Sequence, residues 1–294
     1  LRRRPMKPTR FDYVSPATVE AAIEALVASN GEGKVLAGGQ SLLPLLNFRM
    51  VRPSVLVDLN RIEGLSYIED RGDRIAIGAL TRHRDIEHSP LVASRLPVMS
   101  AAMRHVAHLA IRNRGTIGGS LSHADPAAEL PMLSTFYGAS ISVHGPNGRR
   151  TIEAEDFFVD ALTNCLEPDE IVVQIEFPIL DHDGWAFEEV ARRFGDFALA
   201  SIAVSVRRGS SRLEDARIAV MGVADTPLRL REAEEEFVAL GLDDQTPERF
   251  SEIVVSKVSP NDDLHASGEY RKHLLGELSK RALRTALAST ERAA

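Results

Sequence analysis

The stretch IRNRGTIGGSLSHADPAAELP, residues 111–131, sets a glycine pair, Gly118-Gly119, between Thr116 and Ser120, directly after a run with helical spacing. A second pair, Gly38-Gly39, stands in AGGQSLLPLLNFRM, residues 37–50, after the short apolar run Val35-Leu36-Ala37. Glycine reaches backbone conformations closed to other residues, so successive N–H groups can converge on an anion, and the missing Cβ lets a ligand come close. Ser41, Thr116 and Ser120 add hydroxyl groups to the same task. One glycine pair after a strand is usually a plain turn, whereas two such loops rimmed by hydroxyls are candidate phosphate cradles. Neither is a common nucleotide fingerprint: G-x-G-x-x-G is absent, and Gly33-x4-Gly38 is followed by Gly39 where a P-loop needs Lys. After the second loop, Asp125 and Glu129 stand four apart around an expected helix start at Asp125-Pro126. Both carboxylates could accept from ribose hydroxyls; the plainer alternative is a cap at Asp125 beside a solvated Glu129.

Outward from these loops, Val19, Ala22, Ile23, Leu26 and Val27 have helical spacing behind a Thr18 N-cap, and the apolar Val55-Leu56-Val57 and Ile75/Ile77 predict strands. The first part of the chain thus reads as a small α/β unit. Helical spacing runs again from Pro97 to Leu109, a hairpin is expected near residues 139–153 around Pro146-Asn147-Gly148, and a strand from Ile171 to Phe177 is closed by Pro178. Residues 179–184 are the best linker. Beyond them, alternation at Ile202, Val204, Val206, Ile218 and Val220 predicts two or three antiparallel strands, followed by helices at about 228–240, 246–257 and 269–288. The fold class is α+β in two domains, 1–182 and 183–294.

Composition narrows the function. The 294 residues, 44% hydrophobic, are enough for a two-domain core. A net charge of −7 argues against a nucleic-acid surface, because phosphate contacts need clustered Lys and Arg. The one dense basic run, Arg2-Arg3-Arg4, precedes Met6, which could itself be the native start. There is no stretch of 18 apolar residues and no secretory h-region, so no membrane span and a cytoplasmic protein are expected. A single cysteine, Cys165, excludes a disulfide within the chain and a multi-thiolate cluster on it. Cys165 reads as a small buried hydrophobe, His105 and His108 as surface or supporting residues on one helix, and no triad, dyad or metal motif is found, so no catalytic residue or metal ligand is assigned.

The two glycine motifs together closely resemble the FAD-binding medium subunits of molybdenum hydroxylases, the carbon monoxide, xanthine and nicotine-pathway dehydrogenases. Phe11-Asp12-Tyr13, Leu56-Val57-Asp58-Leu59, Ile77-Gly78-Ala79 and Glu167-Pro168 also match, so the resemblance covers nearly the whole chain. It implies a PCMH-type FAD-binding domain and a C-terminal domain of antiparallel strands and a helical bundle, with an extended FAD between them. By motif match, the backbone of Ala37, Gly38, Gly39, Gln40 and Ser41 and of Thr116, Ile117, Gly118, Gly119 and Ser120 would hold the pyrophosphate and its neighbours. Asp125 or Glu129 would bind the adenosine ribose, Val172 would pack near the cofactor, and Phe197 in RRFGDFA (192–198) would face the isoalloxazine. Phe197 stands where relatives carry Tyr or an aliphatic residue and so offers a packing face without a hydroxyl, and Ser120 stands where Asn is frequent.

The resemblance further implies an oxidoreductase component, not a self-contained enzyme. A large subunit would carry the molybdenum pterin cofactor, a small subunit two 2Fe-2S clusters, and an (LMS)2 heterohexamer would pass electrons through this FAD to an external acceptor. The main alternative is a self-sufficient PCMH-fold flavin oxidase or reductase, often with a covalent His or Cys link near a glycine loop. Neither residue stands convincingly beside Gly38 or Gly118.

Overall fold

A computed structural model describes residues 7–209 and 212–293, with the side chains of the last helix described as far as Ser289; the Arg2-Arg3-Arg4 run and Met6 lie outside the described residues. Three larger sheets and one two-stranded ribbon are found among the described residues. The first is parallel, ordered β1 (Asp12–Val14), β3 (Val55–Asp58), β2 (Gly33–Leu36). It is covered by α1 (Val19–Ala28), whose Thr18 Oγ1 accepts from the Ala21 N–H at 3.2 Å as the sequence predicts. Val19, Ala22, Ile23 and Leu26 bury one face of α1 against Val57 and Leu59 in a small separate core. The second sheet runs β4 (Ile68–Asp70), β5 (Arg74–Gly78), β10 (Ile171–Pro178), β6 (Ser140–Gly145), β7 (Gly148–Glu153), all antiparallel. Here the expected hairpin is found, turning at Gly148 with φ 102°.

Short helices α2 (Leu42–Asn47), α3 (His83–Glu87), α4 (Pro90–Arg95), α5 (Pro97–Ala102), α6 (Leu109–Arg112), α7 (Ile117–His123), α8 (Glu129–Tyr137) and α9 (Ala154–Phe157) fill the connections, and β8 (Phe158–Asp160) pairs with β9 (Thr163–Asn164). Three expectations change. The helix read from Pro97 to Leu109 ends at Ala102, because Ala107 turns left-handed at φ 44° and the chain restarts as α6. His105 and His108 therefore do not share a helix face. The glycine pair lies inside the first turn of α7, capped by Thr116, where a loop after a helix was expected. The next helix begins at Glu129 and not at Asp125-Pro126, since Ala124 closes α7 in the left-handed region and Asp125 forms a turn, its Oδ1 accepting from the Ala127 N–H at 2.9 Å.

β10 ends at Pro178 and the third sheet starts at Gly184, so the expected linker is a connection between sheets. That sheet has four antiparallel strands, β11 (Gly184–Ala191), β12 (Ala198–Arg208), β13 (Leu213–Met221) and β14 (Leu228–Arg229), one more than the sequence suggests. β11 escapes a period-of-two reading because charged Glu188 and Glu189 occupy successive positions in its middle. Helices α10 (Arg231–Ala239), α11 (Thr246–Ser256) and α12 (Gly268–Ala293) pack on it, with Phe237 and Phe250 4.5 Å apart between ring centres. Ala198, Ala203, Ala219 and Met221 of this sheet belong to the same apolar core as Ile77, Met99 and Phe136, so the two halves share one continuous core.

Candidate functional site

In an open sheet with parallel strands, ligands collect at the carboxyl ends of the strands, where the connecting loops diverge. That end of the first sheet holds Tyr13, the Ala37–Ser41 loop and Asp58. Asp58 is the hub. Its Oδ2 accepts from Tyr13 Oη at 2.6 Å and its Oδ1 from the Asn60 N–H at 2.9 Å. Burial alone would push the Asp58 carboxyl up, but the hydrogen bonds from Tyr13 and Asn60 outweigh it and hold it below the usual range. Asn60 Nδ2 also donates to the Ala37 carbonyl at 2.8 Å, which ties the glycine loop to β3.

Gly39 takes φ +73°, a conformation L side chains rarely adopt. Among the described residues, the N–H groups of Gly38, Gly39, Gln40 and Ser41 have no hydrogen-bond acceptor, while Gln40 Nε2 folds back on the Gly38 carbonyl at 3.0 Å. Four consecutive amides without an acceptor, none of them in a strand or helix, are the donor set an anionic group needs.

The second loop works differently. Ile117 N–H donates to Thr81 O at 3.1 Å, Gly118 N–H to Ala79 O at 2.9 Å, Gly119 N–H to Thr116 Oγ1 at 3.2 Å and Ser120 N–H to Thr116 O at 3.0 Å. These amides are engaged inside the protein, so this loop offers close approach at Gly119 and the Ser120 hydroxyl, not a ring of donors. Its glycines fit it against its neighbours: a Cβ on Gly118 would stand 2.7 Å from Ala79 Cβ, and one on Gly119 would stand 3.8 Å from Ala37 Cβ, across the gap to the first loop. A Cβ on Gly38 would run into the Arg114 carbonyl and lie 2.8 Å from Gly115 Cα, so the two motifs, nearly eighty residues apart in sequence, touch.

Residues without a motif complete the site. Arg82 donates to Asn60 Oδ1 at 2.5 Å and to the Arg114 carbonyl, bridging both loops. His83, almost fully buried under Gly115, is pushed down to about 4 by burial and stays neutral at physiological pH. Nothing in the sequence marks Asn60 or Arg82; their side chains become legible only once the strand ends are brought together. The change Arg82→Ala removes both charge-assisted bonds at a half-exposed site, so a loss of about 1–3 kcal/mol in urea unfolding is expected, with weaker flavin retention. Unchanged values on both counts would show that Arg82 does not brace the loops.

The other candidates separate. Asp125 keeps part of its surface, and burial raises its carboxyl. Glu129 is 7% exposed, so the solvated alternative for it is wrong. Burial and then the Glu189 carboxyl, from the third sheet, push it up, whereas Asp125 stays partly exposed. Val172 is 4% exposed within the larger core, so its side chain is committed to packing. Phe197 is 59% exposed in the connection after β11. That connection is pressed onto the first half, since a Cβ on Gly195 would stand 2.7 Å from the His108 ring. Arg192 and Asp196 are exposed, and Arg192 Nη1 lies 3.0 Å from His265 Nδ1. Cys165 is only half-buried, where full burial was expected; burial raises its thiol, as suits an unreactive side chain. Among the described residues there is no group of three or more His, Cys, Asp or Glu side chains placed to hold a metal.

Open strand ends, a loop of free amides and a glycine loop facing it define a protein built to hold a phosphorylated cofactor. The FAD binding domain of molybdopterin dehydrogenase matches residues 9–180, and the carbon monoxide dehydrogenase flavoprotein C-terminal domain matches residues 185–286. The chain is 41% identical to the nicotine 6-hydroxylase medium subunit of Paenarthrobacter nicotinovorans, over 97% of this chain and all of that one. It is 36% identical to the carbon monoxide dehydrogenase medium chain of Hydrogenophaga pseudoflava, over 96% of this chain and 99% of the other. Among solved structures, quinoline 2-oxidoreductase from Pseudomonas putida 86 superposes with a TM-score of 0.92 at 36% identity, covering 97% of this chain and 99% of that one. The chain belongs to the FAD-binding medium subunits of the molybdenum hydroxylases, a family of oxidoreductases.

Proposed function

We propose that this chain is the electron-transfer subunit of a cytoplasmic molybdenum hydroxylase, receiving electrons from a small iron–sulfur subunit and delivering them to an external acceptor. The large subunit would carry the molybdenum pterin cofactor, and the three would form an (LMS)2 heterohexamer. FAD supplies the capacity to take up electrons singly and release them singly or in pairs. The residues of this chain would hold and orient it.

The observation that carries this reading is the run of free amides from Gly38 to Ser41, seated at the strand ends and facing Gly119. Those amides suit the pyrophosphate; Thr116, Ile117 and Gly118 set the opposing wall, and Gly119 and Ser120 are its approachable part. Asp125 is the better placed of the two carboxylates for the ribose. Phe197 would cover the isoalloxazine from the second domain, residues 183–294, while residues 1–182 hold the rest; Val172 would support the site from below.

The experiment is the visible spectrum of the purified chain, mass identification of the chromophore released on denaturation, and anaerobic reduction with and without the partner subunits. Released FAD, reduced by substrate only when the partners are present, is the expected result. A chain that stays colourless after incubation with FAD would overturn the proposal. Reduction by an organic substrate without partners would favour the self-sufficient oxidase instead.

A further inference from the structure

The seam between the two halves holds buried carboxyls that no cation pairs with among the described residues. Glu189, on β11, has a side chain only 3% exposed, and its Oε2 has no hydrogen-bond partner. Its cross-strand neighbour on β12, Ser201, is fully buried, and the Ser201 hydroxyl is also without a partner. Glu188, one residue earlier, pairs with Arg281 of α12 at 2.8 Å, so the two carboxyls part to opposite faces of the strand. Glu189 is left facing the first half of the molecule.

The groups around it do not supply a positive charge. His105 Nδ1 lies 3.8 Å from Glu189 Oε1 and its ring meets Phe187 edge-on, but burial and then Arg104 disfavour the imidazolium. Glu129, at the start of α8, is the other buried carboxyl, with Asp125 adding further negative charge. Arg112 lowers Glu129, but its guanidinium is engaged with Glu87 at 2.8 Å and with the Val106 and Ala107 carbonyls. Both carboxyls are buried, Glu189 Oε2 has no hydrogen-bond partner, and among the described residues no cation pairs with either of them, so burial favours the protonated form.

We propose that Glu129 and Glu189 form a proton-binding site across the seam, the pair carrying at most one negative charge when the two halves are docked at neutral pH. The proton is taken from solvent and no other bond changes. Because Glu189 directly precedes the segment bearing Phe197, and Glu129 follows the second glycine loop, release of the proton would loosen the closure of one half over the other. The site itself stands on the chain alone; only its effect on flavin retention rests on the function proposed above.

The sign follows from proton linkage. Burial raises Glu189, and burial with the Glu189 charge raises Glu129, so the folded protein binds protons that the unfolded chain has released. Stability from this source is fully present below the ordinary carboxylate range near about 4, and falls as pH rises toward mildly alkaline values. For each proton held, the folding constant drops by about tenfold per pH unit inside that window.

The test compares the wild type, Glu189→Gln and Glu129→Gln, each with and without added FAD, by urea unfolding across pH and by infrared spectroscopy of the carboxylic acid C=O band. The wild type is expected to lose stability with rising pH and to show the band near neutrality, and Glu189→Gln to flatten the slope and remove the band. An unaltered slope in Glu189→Gln, or no protonated carboxyl band in the wild type, overturns the proposal. If Glu189→Gln does not fold, Glu129→Gln and the wild-type infrared measurement decide it. A pH slope that persists in a chain unable to bind FAD would sustain the proton site while refuting the functional reading.

Discussion

Gly38→Val should give a folded but flavin-free protein, with FAD affinity reduced by at least about a hundredfold, or about 2.8 kcal/mol. The cause is backbone against backbone. A Cβ at residue 38 runs into the Arg114 carbonyl and stands 2.8 Å from Gly115 Cα, so no side-chain rotation can relieve it. The first loop must then lift from the second, which disperses the free amides of Gly38 to Ser41 and opens the gap beside Gly119. Overpacking alone costs about 1–3 kcal/mol of stability, so the loss of flavin should exceed what partial unfolding explains. Gly118→Val should act from the other side, against Ala79. Gly241→Ala is the control, because no atom lies within 4 Å of its added Cβ and it calls for no left-handed backbone. Equilibrium dialysis with FAD alongside urea unfolding separates the two effects, and full flavin retention in Gly38→Val would remove the first loop from the site.

What the sequence disclosed follows from how local each signal is. The α1 helix and the 139–153 hairpin rest on periodicity and turn residues within a dozen positions, and both are found. The glycine pairs were legible as loops needing close approach, but not as loops that touch each other, since Gly38 and Gly115 meet only through the sheet. Nor could the sequence divide their chemistry. Both were read as amide cradles, yet Thr81 and Ala79 occupy the amides of Ile117 and Gly118, while the first loop keeps four consecutive amides without an acceptor among the described residues. The Pro97–Leu109 helix failed because apolar spacing does not register a left-handed residue at Ala107. The solvated alternative for Glu129 failed for a related reason: the residue is buried by tertiary packing, and Glu189, which adds to the effect of burial, lies sixty residues away on a strand hidden by its own charges.

Arg112 supports that left-handed turn, and its removal should be the most damaging single change outside the glycine loops. Its side chain is 11% exposed and reaches Glu87 through Nε at 2.8 Å, while Nη1 donates to both the Val106 and Ala107 carbonyls at 2.9 Å. Those carbonyls flank the bend that ends one helix and starts the next, and the Gly195 backbone packs on the same bend through His108 and the Ala107 carbonyl. Arg112→Met keeps much of the volume but leaves the Glu87 carboxylate half-buried without its partner and two carbonyls without a donor. A loss of about 3–5 kcal/mol is expected for breaking such a pair. Arg112→Lys keeps the charge but cannot span the carboxylate and two carbonyls with one fork, so it should fall between. The same change withdraws the cation that lowers Glu129, so the proton at the seam should be held to higher pH. Unfolding of Arg112→Met, Glu87→Gln and the double variant as a cycle tests the pairing. Additivity within about 0.5 kcal/mol would mean that Glu87 and Arg112 do not act together, whereas coupling, together with an alkaline shift of the infrared carboxyl titration, would tie the bend beneath the Phe197 segment to the charge state of the seam.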